Sequence, residues 1–145
     1  MSNIFSHWHV WALLSACFAA LTAIFAKVGI AGVGSDFATL LRTIVILTTL
    51  CFIVLATGQW QPLGSVSAKS YTFILLSGLA TGASWLCYFR ALKIGEASMV
   101  APLDKMSVVL VAVFGVAFLG ERLAVVNWLG VTLIAAGAVL VAYKP

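Results

Sequence analysis

Val125–Tyr143 reads VVNWLGVTLIAAGAVLVAY, nineteen residues without a single charged side chain. A helix of that length covers about 28 Å, close to the ~30 Å of hydrocarbon in a bilayer. Four more apolar stretches precede it: Val10–Ala26, Phe37–Thr57, Tyr71–Phe89 and Ala97–Leu119. Each falls in the range of about 17–25 residues that can cross a membrane. Hydrophobic residues make up 63% of the 145-residue chain and the mean hydropathy is +1.17, more than a soluble core of this size would hide. In lipid the backbone finds no water to bond, so each stretch must pair its own N–H and C=O groups as helix. The expected fold is all-α, a single five-helix transmembrane domain over residues 1–145.

Composition narrows the function classes. The leader before the first span, Met1–His9, has no Lys or Arg and four more spans follow, which argues against a cleavable signal peptide. Cys17, Cys51 and Cys87 lie inside apolar runs without CxxC spacing and read as small packing residues. His7 and His9 have no Cys or further His near them, so neither a metal nor another cofactor is expected. A pI of about 9.2 would suggest nucleic acid for a soluble protein. Here it reads as positive charge at membrane edges, so lipids rather than nucleic acid are the expected surroundings.

The connections are short: Gly29–Asp36, Gly58–Ser70, Arg90–Glu96 and Gly120–Ala124. Five crossings put the two ends of the chain on opposite sides. The N-terminal side carries Lys69 and Arg122, whereas the C-terminal side carries Lys27, Arg90, Lys93 and Lys144. The positive-inside rule therefore places the C-terminus in the cytoplasm. The excess is small, which leaves insertion in both directions open. Trp8, Trp11, Trp60 and Trp128 fall near the N-terminal side as an interfacial belt.

Three charges sit where charge is expensive. Arg42, Asp104 and Lys105 lie inside the second and fourth spans, on the same side and at similar depth. An unpaired charge in the apolar zone costs at least about 2.5–3.5 kcal/mol on insertion scales. Neighbours on a helix point ~100° apart, so Asp104 and Lys105 are expected to be poor partners. Asp104 is instead expected to face Arg42, leaving Lys105 free for a ligand. The competing reading starts the fourth helix at Pro102, whose missing N–H suits a first helical position. Asp104 would then complement the helix dipole in the first turn and Lys105 would reach the headgroups. A broken start to this span would serve both readings, since broken helices line transporter cavities.

Thr81, Trp85 and Tyr88 recur at i, i+4 and i+7 along the third span, an aromatic stripe able to flank a ligand. Ser15 and Thr22 place two hydroxyls seven residues apart on the first span. The candidate substrate-binding set is thus Arg42, Trp85, Tyr88, Asp104, Lys105, Ser15 and Thr22. Gly130 and Gly137, one heptad apart on the uncharged last span, offer a face for close helix approach, and Gly78 and Gly82 form a GxxxG pair. Gly120 ends the fourth span, and Glu121 is expected to complement the start of the fifth.

Several segments together carry a family resemblance: Trp11-Ala12-Leu13-Leu14, Phe25-Ala26-Lys27-Val28-Gly29, Trp85 through Leu92 with Gly95, Val100-Ala101-Pro102-Leu103 and Phe118-Leu119-Gly120-Glu121. Over roughly Trp8 to Tyr143 the chain resembles one EamA-type repeat of the drug/metabolite transporter superfamily. Full-length members usually hold two such repeats in inverted orientation. The resemblance therefore implies a homodimer, with an antiparallel arrangement like that of the smaller four-helix multidrug resistance relatives as the expectation. Those relatives use an essential Glu in the first helix, and the first span here has no acidic residue. Gly130 and Gly137 look like the glycine pair their last helix uses for dimer packing.

The expected function is secondary transport of a small anionic or zwitterionic metabolite, by alternating access, in the inner membrane of a prokaryote. One surplus positive charge among Arg42, Asp104 and Lys105 sets the substrate's sign. The alternatives are flipping of a lipid-linked substrate, or a non-transporting subunit that assembles or regulates a partner. An enzyme is not expected, because no nucleophile–base pair or phosphate loop is present.

Overall fold

In the computed structural model, residues 7–143 are described, and all regular structure among them is helical. Six helices follow in order: α1 (Trp8–Gly29), α2 (Ser35–Ala56), α3 (Ala68–Ile94), α4 (Ala97–Asp104), α5 (Ser107–Leu119) and α6 (Val125–Ala142). A 3-10 turn at Leu63–Ser65 interrupts the loop between α2 and α3. Five segments are long and apolar enough to cross a membrane: α1, α2, α3, α6 and the interrupted stretch Ala97–Leu119. The five expected spans are therefore present, in an integral membrane protein. The third begins at Ala68 rather than Tyr71 and runs to Ile94. Ser67 accounts for that earlier start, because its hydroxyl accepts the Ser70 amide (3.1 Å) as a helix cap does. Lys144 lies outside the described residues.

The helices group into two compact units. One comprises α2, α3 and the loop before α2 (Val28–Lys93); the other comprises the described residues up to Lys27 and those from Ile94 onward. In the first unit Ile30, Thr39, Phe89 and Leu92 are buried. The buried Thr39 hydroxyl donates to the Ser35 carbonyl (2.9 Å), one turn back, so no polar atom is stranded. In the second unit α6 packs against both α4 and α5. Its buried residues, Ala23, Gly115 and Ala138, are all small. That choice fits membrane helices, whose association depends on close backbone approach rather than on hiding apolar groups from water. The Lys27 ammonium donates to the Gly95 carbonyl (2.7 Å), tying the end of α1 to the turn two residues before α4.

The fourth span is broken. Its first helix starts at Ala97, with the Glu96 carbonyl accepting the amides of Met99 (3.0 Å) and Val100 (2.9 Å). Pro102 sits inside this helix, not at its start, and has no N–H to give the preceding turn. Beyond it the pairing tightens to i→i−3: Lys105 to Pro102, Met106 to Leu103, Val108 to Lys105 and Val109 to Met106. The α-helical path resumes at Ser107. Asp104 is thus the last residue of α4 rather than a residue of its first turn, so it does not complement that helix's N-terminal dipole.

Gly120 closes α5 with φ +70°, a left-handed conformation that costs a residue with a Cβ about 1–2 kcal/mol. The amides of Gly120 and Glu121 both donate to the Gly115 carbonyl there. Glu121 does not serve α6, whose cap residue is Ala124. Its carboxylate folds back over Gly115 instead, where Oε2 lies 2.5 Å from the place a Cβ would take. The short loop turns Glu121 toward the helix it follows rather than the one it precedes.

Candidate functional site

Arg42 stands seven residues after Ser35, the first residue of α2, about 10 Å along the helix. Its guanidinium carbon lies 4.2 Å from the centre of the Trp85 ring and 5.5 Å from that of Phe89. Trp85 and Phe89 are four residues apart on α3, so one helical face presents both rings to one cation. Each ring carries negative charge on its face, which makes such a contact favourable by about 0.5–2 kcal/mol. Tyr88 meets Phe89 edge-on, with ring centres 6.5 Å apart. The Thr81 hydroxyl bonds back to the Ser77 carbonyl (2.8 Å) and is used up within its own helix.

Arg42 has no counter-charge within its unit. Val28–Lys93 contains one acidic residue, Asp36, and Arg90 binds both of its oxygens. Arg90 Nε donates to Oδ1 at 3.0 Å and Nη2 to Oδ2 at 2.7 Å, a bidentate pair. Both side chains are more than half exposed, so solvent screens the pair and its main effect is to hold α2 and α3 in register at this end. The Lys93 ammonium adds a bond to the Val33 carbonyl (2.9 Å), just before α2. Arg42 thus lies against the Trp85 and Phe89 rings, while the acid of its unit is engaged with Arg90 at the helix ends.

In the second unit Asp104 and Lys105 pair with each other. Lys105 Nζ lies 3.5 Å from Asp104 Oδ2, with the two side chains 55% and 37% exposed. The sequence reading leaves Lys105 without a protein counter-charge; the structure supplies one from its neighbour. Lys105 still has a right-handed helical backbone, so it is its long, flexible stem that brings the ammonium back to Asp104. Ser15 and Thr22 lie on α1, Ser15 exposed and Thr22 half-buried. Among the described residues no three His, Cys, Asp or Glu side chains come together to ligate a metal. Phe89 is the site residue that sequence periodicity missed. Its signal is the i+4 spacing from Trp85, one place beyond the stripe that ends at Tyr88.

A glycine face completes the picture. A Cβ built on Gly130 or Gly137 of α6 would meet no atom within 4 Å, and the same is true of Gly78 and Gly82 on α3.

The profile of the EamA-like transporter family matches residues 6–143, nearly the whole chain. The chain belongs to the EamA-like transporter family. A curated relative from Sinorhizobium sp, described as an uncharacterized transporter in the cobO 3' region, is 65% identical over 135 residues. That similarity covers 93% of this chain and 96% of the relative. No solved structure matches. Membership and relative together support a membrane transporter and point away from an enzyme.

Proposed function

We propose that this EamA-family protein is a secondary transporter of a small anionic or zwitterionic metabolite, with Arg42 as the substrate-binding cation. The observation that carries this reading is a guanidinium in a membrane helix, lying over the Trp85 and Phe89 rings, with no carboxylate of its own unit to neutralise it. A charge at such depth costs about 2.5–3.5 kcal/mol on insertion scales, a cost that aromatic contact only partly offsets. A passing anion offsets the remainder when it binds. Tyr88, beside Phe89, belongs to the same wall. Transport is by alternating access between two five-helix copies, and the open faces at Gly130 and Gly137 support pairing of copies through α6.

The test is counterflow in proteoliposomes loaded with a mixture of small organic anions and amino acids. Saturable, protein-dependent exchange of at least one anionic or zwitterionic solute is expected. Exchange confined to cations or neutral solutes would contradict the reading. We place the protein in a prokaryotic inner membrane with the C-terminal side cytoplasmic, on the excess of Lys27, Arg90, Lys93 and Lys144 over Lys69 and Arg122. A cysteine introduced at Ser65 is then expected to be labelled from outside by a membrane-impermeant maleimide, and one introduced at Lys144 to be protected. Labelling at Lys144 alone would reverse the orientation, and labelling of both would indicate copies inserted in both directions, as an antiparallel dimer requires.

A further inference from the structure

The chemistry around Arg42 separates the two substrate classes left together above. A guanidinium carries five N–H donors, all in its plane. The guanidinium carbon lies over the Trp85 ring, 4.2 Å from its centre, while the donors lie around the edge of the guanidinium plane. No hydrogen bond joins Arg42 to another described residue, and the one acid of its unit has both oxygens on Arg90. The acceptor best matched to an edge of paired, parallel N–H groups is a planar carboxylate with two oxygens at the same spacing.

The same surroundings disfavour an accompanying ammonium. A ligand cation here needs either a free carboxylate or an open aromatic face. The unit Val28–Lys93 has no second acid, Arg42 already lies over the Trp85 and Phe89 rings, and Tyr88 is set edge-on to Phe89. A second negative charge is equally unprovided for. Of the other cations in the unit, Arg90 is held by Asp36, Lys93 donates to the Val33 carbonyl, and Lys69 lies sixteen residues before Trp85, about 24 Å along α3. Resting on the transport reading above, we infer that Arg42, clamped by Trp85 and Phe89, selects a small monocarboxylate anion over a zwitterion, a phosphate or a neutral amide.

The experiment is isothermal titration of the full-length protein in mild detergent at pH 7 with four probes of similar size: butyrate, 2-aminobutyrate, butyramide and inorganic phosphate. Butyrate is expected to bind at least about tenfold more tightly than each of the others, because only it fills the fork without adding an unpaired group. Arg42→Lys keeps the charge but loses the planar fork, and is expected to weaken butyrate binding about tenfold with the helical circular dichroism and melting unchanged. Equal or tighter binding of 2-aminobutyrate or phosphate would overturn the selectivity and leave Arg42-dependent transport standing. So would displacement of butyrate by phosphatidylglycerol, which would mark a lipid phosphate as the occupant. No binding of any probe, with anion counterflow still dependent on Arg42, would also overturn the inference alone. Counterflow that ignores Arg42 would instead remove the functional reading beneath it.

Discussion

Arg42→Ala is expected to lower anion counterflow at least about 100-fold while the protein still inserts, purifies and melts as the parent does. Truncating one member of a desolvated charge pair typically costs about 2–5 kcal/mol, or some thirtyfold to several thousandfold. Stability responds differently because Arg42 has no partner in its own unit to strand. Its removal forfeits about 0.5–2 kcal/mol of contact with Trp85 and Phe89 but also relieves the burial of a charge. The two terms are of similar size and opposite sign, so the melting temperature should stay level or rise. A large fall in stability with Arg42→Ala would make the residue structural rather than a ligand for substrate. Asp104→Ala provides the contrast. Its pair with Lys105 is more than a third exposed, so its loss should cost under about 1 kcal/mol.

Gly137→Leu, and more strongly the double change with Gly130→Leu, is expected to shift the protein from dimer to monomer in mild detergent. A Cβ added at either position would have no atom within 4 Å, so a leucine meets no obstacle inside the chain. The single chain should therefore fold normally. The penalty falls on whatever approaches α6 from outside, where helix association depends on close van der Waals contact between backbones. Counterflow should fall in parallel with dimer content if alternating access needs two copies. A mass by light scattering that is unchanged in both variants would take α6 out of the interface. The equally open Gly78 and Gly82 of α3 would then be the next face to test.

The membrane fold was legible because it rests on length and apolarity, which a single chain displays directly. Nineteen uncharged residues in Val125–Tyr143 leave few alternatives to a spanning helix. The family was legible from the segments around Trp85, Pro102 and Gly120, and the match over residues 6–143 agrees with it. Charge pairing was much less legible. Asp36 and Arg90 are 54 residues apart, and no local periodicity announces a bidentate contact at that separation. The fate of Asp104 turned on whether residues 97–101 wind into helix ahead of Pro102. The Glu96 carbonyl, which accepts the amides of Met99 and Val100, shows that they do. Once Asp104 ends a helix rather than beginning one, its nearest cation is the next residue. Phe89 was hidden for a simpler reason: Tyr88 and Phe89 share one turn, and spacing alone does not say which ring faces α2.

The most direct measurement is the emission of Trp85 as the sole tryptophan, with Trp8, Trp11, Trp60 and Trp128 replaced by Phe. Its ring lies 4.2 Å from the Arg42 guanidinium, so an anion that binds the cation alters the field on the indole. A saturable change in emission is expected on titration with transported anion, at the same concentrations that half-saturate counterflow, and its disappearance in the Arg42→Ala background. Emission that stays flat through saturating transport would show that substrate passes elsewhere and that the Arg42–Trp85 contact is only packing.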